Sequence, residues 1–210
     1  MSGQHPAYNT VAIPGSGEIT EKKSRFIGDI LPVSSEKEVQ EHIASIKKRY
    51  YDARHHCYAF SIGPGCELVR SSDDGEPSGT AGRPIMSVLT GAGLTDTLIV
   101  VTRYFGGTLL GAGGLVRAYT QAAQEALKAA KVVRAEWCTD LEVTVDYSLV
   151  TPVQRFFELN AIALDGSVYD DKAHFSIHII TDDIEKVSAS LVSLTEGRAI
   201  IDRGGEGYRR

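Results

Sequence analysis

Apolar residues in the first 71 positions change between extended and helical spacing. Residues 19–33 have an extended pattern and predict a hairpin that ends near Pro32. The capping box Ser35-x-x-Glu38 then predicts the start of a helix. An apolar stripe at helical spacing carries this predicted helix to residue 50: Val39, Ile43, Ile46 and Tyr50. Residues 57–62 and 67–71 predict two short strands joined by a Gly-Pro-Gly turn.

A polar loop, a buried strand and a glycine-rich loop follow over residues 72–130. The loop at 72–83 leads to a short predicted helix at 84–90, with Pro84 in its first turn. The β-branched run at 98–101 predicts a strand that is buried on both faces. After the glycine-rich loop at 106–114, a helical stripe predicts a long helix: Leu115, Tyr119, Ala122, Ala126 and Ala130.

The last 70 residues alternate regularly between strand and helix patterns. Strands are predicted at 141–145, 163–169, 174–180 and 198–202, and helices at 151–159 and 183–194. This βαββαβ order is typical of a ferredoxin-like domain. We therefore predict an α+β protein of two domains, residues 1–137 and 138–210.

Composition and charge narrow the classes of protein to which the chain can belong. The three cysteines lack CxxC spacing, so we expect neither a disulfide framework nor a structural zinc site. No apolar run of about 18 residues occurs and the N-terminus is polar, which favours a cytoplasmic protein without a membrane segment. Residues 1–137 hold 15 Lys and Arg against 14 Asp and Glu, and residues 138–210 hold 7 against 13. Any nucleic-acid contact is therefore expected on the first domain.

The strand, loop and helix over residues 98–128 form the first candidate binding segment. Arg103, Tyr104 and Phe105 end the strand, and the glycines that follow them are Gly106, Gly107, Gly111, Gly113 and Gly114. A helix start without a side-chain cap leaves backbone amides free, and anions bind at such positions. The loop matches neither the P-loop nor the GxGxxG pattern. The alternative is that these glycines serve only tight turns and close packing.

The acidic loop, with Asp73, Asp74 and Glu76, is the second candidate. Its carboxylates could bind a hard cation, act in acid–base chemistry or pair with arginines of a partner, whereas the alternative is a solvated turn. His55 and His56 are adjacent on a strand and point to opposite faces, so they do not share a metal ion. One of them could meet the acidic loop. We predict no metal site, no cofactor and no catalytic residues.

Four segments together closely resemble the IMPACT family, and the resemblance extends over nearly the whole chain. They are residues 21–26 (EKKSRF), 53–59 (ARHHCYA), 73–82 (DDGEPSGTAG) and 101–111 (VTRYFGGTLLG). The resemblance implies a first domain with the two-layer α/β fold of ribosomal protein S5 domain 2-like proteins. It also implies a ferredoxin-like second domain, similar to domain V of elongation factor G.

The resemblance implies a role in translation rather than a defined reaction. Eukaryotic members bind a protein that activates an initiation-factor kinase, and bacteria lack that partner. The leading hypothesis is therefore a non-catalytic protein that binds RNA, the ribosome or a translation factor. The first alternative is an enzyme or binder of a nucleotide or phosphorylated small molecule that uses the glycine-rich loop. The second is a protein–protein regulator.

Overall fold

The computed structural model describes residues 5–210, which form two compact units. The first unit is Ala7–Arg134, and the second is Ala135–Arg210 with His5 and Pro6. The division falls three residues before the predicted boundary between residues 137 and 138. Within residues 5–210, no helix is both long enough and apolar enough to cross a bilayer.

The first unit contains an antiparallel sheet and three helices. Its elements are β1 (Tyr8–Ile13), β2 (Gly15–Glu21), β3 (Ser24–Pro32), α1 (Glu36–Arg49), β4 (His55–Ile62), β5 (Leu68–Ser72), α2 (Gly82–Gly91), β6 (Thr97–Tyr104) and α3 (Gly111–Ala129). The sheet has the order β2-β3-β6-β4-β5. Strand β6 lies at its centre, where the apolar run predicted a buried strand, and this prediction is confirmed.

Both faces of this sheet are covered by helices. Ile99 and Val101 of β6 pack into a core with α2 and α3, whereas Leu98 and Val100 face a second core beneath α1. The alternation places odd-numbered residues of β6 on the α2–α3 face and even-numbered residues on the α1 face. Arg103 is odd-numbered, so its side chain lies on the α2–α3 face.

Helix α1 begins where the sequence predicted. The Ser35 hydroxyl accepts a hydrogen bond from the Glu38 amide, so this half of the capping box is formed. The Glu38 carboxylate accepts a hydrogen bond from the amide of Ser34 rather than from that of Ser35. Both contacts satisfy donors at the start of the helix.

Helix α3 begins at Gly111, earlier than the predicted start at Leu115. The prediction of a loop through residue 114 was wrong, and Gly111, Gly113 and Gly114 belong to the first turn of the helix. The predicted apolar stripe is confirmed, because Tyr119 and the alanines around it are buried. Glycine is a weak helix former, so packing of the rest of the helix must offset its cost in this turn.

Three glycines of the sheet let the α3 backbone approach closely. A side chain at Gly28 would collide with the Ala122 carbonyl, and one at Gly15 or Gly17 would meet the helix backbone near residues 125–130. The helix therefore rests on strand backbone with no side chain between them at these points.

The second unit has the predicted order βαββαβ. Its elements are β7 (Lys131–Val145), α4 (Val150–Leu159), β8 (Leu164–Tyr169), β9 (Ala173–Ile180), α5 (Ile184–Leu194) and β10 (Ile200–Arg209), with β7 starting in the first unit. The strand order β10-β7-β9-β8 with antiparallel pairing is the ferredoxin-like arrangement. The fold class is confirmed for both units.

Two strands of the second unit are longer than predicted. β7 begins ten residues before Leu141, and β10 continues past Asp202 through two glycines at a register shift. Pairs such as Trp137 opposite Tyr208 extend the ladder. The additional residues are mostly half-buried or exposed, so the apolar alternation that marks a strand is weak there.

Gly28→Ala is expected to destabilise the first unit by about 1–3 kcal/mol, because the new methyl group collides with helix backbone that cannot move aside cheaply. Urea denaturation of both proteins measures the difference. Gly91→Ala is the matched control: this helical glycine has open space around its Cβ position, so its substitution should be neutral or stabilising. Equal stability of the Gly28 variant and the parent would contradict the close approach.

Candidate functional site

A groove of about 440 Å³ lies where β4 starts, β6 ends and α3 begins. It is lined by Arg54, His55, Glu76, Pro77, Arg103, Phe105, Leu109, Leu110, Gly111, Ala112 and Leu115. We call this feature the groove. It unites the histidine segment, the acidic loop and the glycine-rich loop, which lie far apart in the sequence.

Strand register brings Arg103 to the floor of the groove. His55 of β4 lies opposite Arg103 on one side, and Phe26 of β3 lies opposite it on the other. All three residues face the α2–α3 side of the sheet, because paired residues on neighbouring strands share a face. The acidic loop crosses this face and brings Glu76 to the arginine.

Arg103 and Glu76 form a buried ion pair. Arg103 Nη1 donates to Glu76 Oε1 at 2.6 Å, and the two side chains are only 7% and 3% exposed. The same carboxylate oxygen accepts a second hydrogen bond, 2.7 Å long, from the hydroxyl of Tyr119. Phe26 and Phe105 flank the guanidinium, with ring centres 5.4 and 5.6 Å away. A buried charge requires such compensation.

Arg103 keeps unused hydrogen-bonding capacity. Its buried Nε has no partner among residues 5–210, and the only hydrogen bond that the guanidinium donates there goes to Glu76. A buried donor without a partner is rare and calls for an explanation, such as a bound water or ligand. Arg103 also lines the groove, so the guanidinium lies at the boundary of a space that could hold such a partner.

Asp73 organises the acidic loop and does not line the groove. Its carboxylate accepts hydrogen bonds from the amides of Gly79, Ala81 and Gly82, the last of which begins α2. Burial alone would raise the pKa of Asp73, but these backbone hydrogen bonds outweigh it and hold the pKa below its usual value. Asp73 therefore fixes the loop that carries Glu76.

Asp74 connects this loop to both histidines, as the sequence allowed for one of them. Its carboxylate accepts the His56 amide at 2.7 Å, and its carbonyl lies 2.9 Å from Nδ1 of His55. A carbonyl only accepts, so Nδ1 of His55 carries the proton and Nε2 is the nitrogen left for other partners. His56 is buried outside the groove lining, and burial lowers its pKa, so the ring is neutral at pH 7. Asp74 and His56 therefore support the groove without lining it.

Cys57 is buried outside the groove lining, next to Tyr119. Its sulfur lies 2.9 Å from the Asp73 carbonyl oxygen and 3.4 Å from the Tyr119 hydroxyl. Burial raises the pKa of this thiol to about 12, so it stays protonated at neutral pH. Burial also raises the pKa of Tyr119, which therefore remains a hydroxyl donor to Glu76.

Tyr104 and most of the glycines have roles outside the groove lining. The Tyr104 hydroxyl donates to Asp52, and a side chain at Gly106 would collide with the backbone at Lys23. Gly107 has a left-handed φ of 84° at an open position, which suits a turn. Gly113 and Gly114 lie in the first turn of α3, next to the lining residues Gly111 and Ala112.

Sequence reasoning missed several groove residues. Arg54 stands directly before His55 and could have been included on that ground, whereas Leu109 and Ala112 carry no signal of their own. Tyr119 was assigned to the apolar stripe of a helix, which is correct for its ring but overlooks its buried hydroxyl. The other lining residues missed are Pro77, Leu110 and Leu115.

Among residues 5–210, one group of side chains brings three potential metal ligands within reach of one ion. Asp170, Asp171 and His174 lie on the β8–β9 hairpin of the second unit. The two ring nitrogens of His174 already lie 2.9 Å from the Thr144 hydroxyl and 3.0 Å from Asp170. Exposed acidic groups commonly meet without an ion, so we assign no metal role to them.

Comparison with known proteins identifies relatives along most of the chain. Residues 22–127 match the Impact N-terminal domain, and residues 143–198 match a domain of unknown function, DUF1949. YvyE of Bacillus subtilis, described as an IMPACT family member, is 38% identical over 94% of this chain and 91% of its own length. YigZ of Escherichia coli, described in the same way, is 32% identical over 84% of this chain and 87% of its own length.

A eukaryotic relative matches less than half of this chain, and a solved structure matches both units. The Protein IMPACT homolog of Dictyostelium discoideum is 41% identical over 44% of this chain and 28% of its own length. A crystal structure described as that of a hypothetical protein superposes with a TM-score of 0.62 at 30% identity, covering 93% of this chain and 96% of the other.

Glu76→Gln is expected to destabilise the protein by about 3–5 kcal/mol, because it leaves Arg103 buried without a compensating charge. Urea denaturation provides the measurement. In the double variant Glu76→Gln/Arg103→Met, much of the loss should be recovered, since no uncompensated charge remains. Additive losses in the double variant would argue against a coupled pair. Glu41→Gln, at an exposed ion pair on α1, is the control and should change stability little.

Cys66 is expected to react with a thiol reagent at pH 7.5 far faster than Cys57, because Cys66 is exposed while Cys57 is buried and protonated. Absorbance during labelling with Ellman's reagent measures the rates. The variant Cys66→Ser should lose the fast phase, and Cys57 should react only after denaturation. A fast phase that survives in Cys66→Ser and disappears in Cys57→Ser would contradict the assignment.

Proposed function

Because the chain belongs to the IMPACT family, we propose that it is a non-catalytic binding protein linked to translation and that its groove holds single-stranded RNA. The family resemblance supports the link to translation. The choice of RNA rests on the chemistry of the groove. The proposal concerns the first unit, which carries the groove and matches the Impact N-terminal domain.

One observation carries this proposal: aromatic, cationic and backbone donor groups meet in the same groove. Phe105 is 46% exposed and offers a ring to a base, while the exposed Arg54 offers an unpaired guanidinium among the described residues. The first amides of α3 offer donors for a phosphate. Single-stranded RNA is recognised by stacking on aromatic side chains combined with contacts to phosphate.

The state of the acidic and nucleophilic groups favours binding over catalysis. Glu76 accepts hydrogen bonds from both Arg103 and Tyr119, and Cys57 is held as a thiol. A general base must be free to take a proton from its substrate, whereas Glu76 is held in a buried ion pair with Arg103. A nucleophile needs an ionised or activated form, which the Cys57 thiol lacks. Glu76 instead forms part of the floor of the groove, and Cys57 is buried outside the groove lining.

The charge distribution supports the choice of the first unit for the proposed RNA contact. The sequence from residue 138 onward holds 7 basic against 13 acidic residues, which would repel phosphate. Because the groove depends on few cations, the affinity should be modest and its dependence on salt should reflect a small number of phosphate contacts.

A nucleotide or another phosphorylated small molecule is the second candidate ligand. The groove volume of about 440 Å³ favours it, since pockets for small molecules measure about 300–1,000 Å³. The two candidates differ in their response to chain length: a small-molecule site gains nothing from additional nucleotides, whereas an RNA site gains affinity from them.

Fluorescence anisotropy with a single-stranded RNA of about ten nucleotides tests the proposal. We expect binding at about 50 mM salt that weakens as salt rises, since phosphate contacts release counterions. Phe105→Ala and Arg54→Gln should each weaken binding about tenfold, the loss expected for one stacking or charged contact. The controls Tyr51→Ala and Arg155→Gln change an exposed aromatic and an exposed arginine outside the groove and should bind normally.

Two outcomes would redirect the assignment. If no RNA binds at low salt but nucleotides raise the melting temperature, the small-molecule function replaces the RNA function. A nucleotide present at 100 times its Kd is expected to raise the free energy of unfolding by about 2.7 kcal/mol. If neither binds, affinity capture from a lysate with and without nuclease distinguishes a ribosomal partner from a protein partner. A partner retained after nuclease treatment supports a protein–protein regulator.

A further inference from the structure

We propose that the groove recognises a terminal phosphate, a phosphomonoester attached to a nucleoside, at the point where α3 begins. This inference rests on the proposed binding of RNA and specifies which part of the strand enters the groove. The same chemistry is present on a free nucleotide, so the experiment below separates the two sources. The ligand class follows from two sets of donors, the charge of the groove lining and one apolar wall.

The start of α3 supplies the first set of donors. The helix runs from Gly111 to Ala129, and none of the described side chains caps its first amides. Leu110 precedes it in a helical conformation, and Gly111 and Ala112 lie in the groove lining. Free amides and the helix dipole, equivalent to about half a positive charge, favour an anion at this end.

Arg103 supplies the second set and is an independent observation. Its side chain is more than nine-tenths buried, it lines the same groove, and its Nε lacks a partner among residues 5–210. Glu76 occupies only the Nη1 side of the guanidinium. A phosphate oxygen in the groove would use the remaining donors, and arginine is suited to bind phosphate through two nitrogens.

The charge of the groove suits a dianion better than a diester. Two arginines and one glutamate give a net charge of +1 to the lining, to which the start of α3 adds its partial charge. A phosphomonoester carries about −1.5 to −2 at pH 7 and has three terminal oxygens. An internal diester carries a single charge, and its strand would have to leave the groove on both sides.

Phe105 and Leu109 supply the apolar wall that a base requires. Phe105 follows Arg103 closely along the chain, and Leu109 is 82% exposed, so both present apolar surface at the groove. An exposed leucine beside an exposed aromatic ring is a surface on which a base gains stacking and burial. The base belonging to the terminal phosphate would pack there.

Ala112→Glu tests the site without disturbing the buried ion pair. Ala112 is exposed and lines the groove, and a carboxylate in the first turn of a helix does not destabilise it. The charge would repel a phosphate at α3. Ala112→Gln has nearly the same shape without the charge and is the matched control.

Anisotropy is measured with one RNA sequence that carries a 5′-phosphate, a 3′-phosphate or hydroxyls at both ends, and by competition with adenosine monophosphate and adenosine. We expect one phosphorylated RNA to bind about tenfold tighter than the hydroxyl form. Ala112→Glu should remove this preference while Ala112→Gln keeps it. Competition by the monophosphate but not by adenosine identifies a free nucleotide as a sufficient ligand.

The outcomes separate this inference from the function on which it rests. Equal binding of all three RNAs overturns the terminal-phosphate site and leaves the proposed RNA binding intact. A preference for phosphorylated RNA that persists in Ala112→Glu also overturns the site. Failure of every RNA to bind overturns the proposed function, and the terminal-phosphate site then stands only if the monophosphate binds where adenosine does not.

Discussion

The ion pair between Arg103 and Glu76 connects the parts of the first unit that meet at the groove. Neither charge could remain in its buried position without the other, because the cost of an isolated buried ion exceeds what local packing supplies. The pair joins the central strand to the acidic loop, and the Tyr119 hydroxyl extends it to α3. Three segments that are distant in sequence are thereby held in one arrangement around a polar contact.

Because of this ion pair, different residues of the groove have different roles. Glu76 and Arg103 neutralise each other and form the floor, so the attraction of the groove for an anion depends on the groups around them. Those groups are the arginine at the start of β4, the amides of α3 and the donors that Glu76 leaves unused. Asp73 and Asp74 do not line the groove, but their hydrogen bonds fix the loop that carries Glu76. The acidic loop therefore acts mainly as a scaffold.

Local signals in the sequence predicted the elements well and the site only in part. The buried strand β6, the cap of α1 and the βαββαβ order of the second unit each follow from short-range pattern. The partnership of Glu76 with Arg103 depends on strand register and loop path, which no local pattern reports. The early start of α3 was missed because glycines predict a loop, whereas packing of the helix onto the sheet decides the outcome.

The close seating of α3 on the glycines of β2 and β3 has a consequence for recognition. Since backbone lies against backbone there, the helix has little freedom to slide or rotate relative to the sheet. Its first amides are therefore held in one direction before any ligand arrives. A ligand at this position would lose little free energy to ordering the protein, which is the advantage of a preorganised site. Glycines remote from the groove would thus contribute to the affinity for the proposed ligand without contacting it.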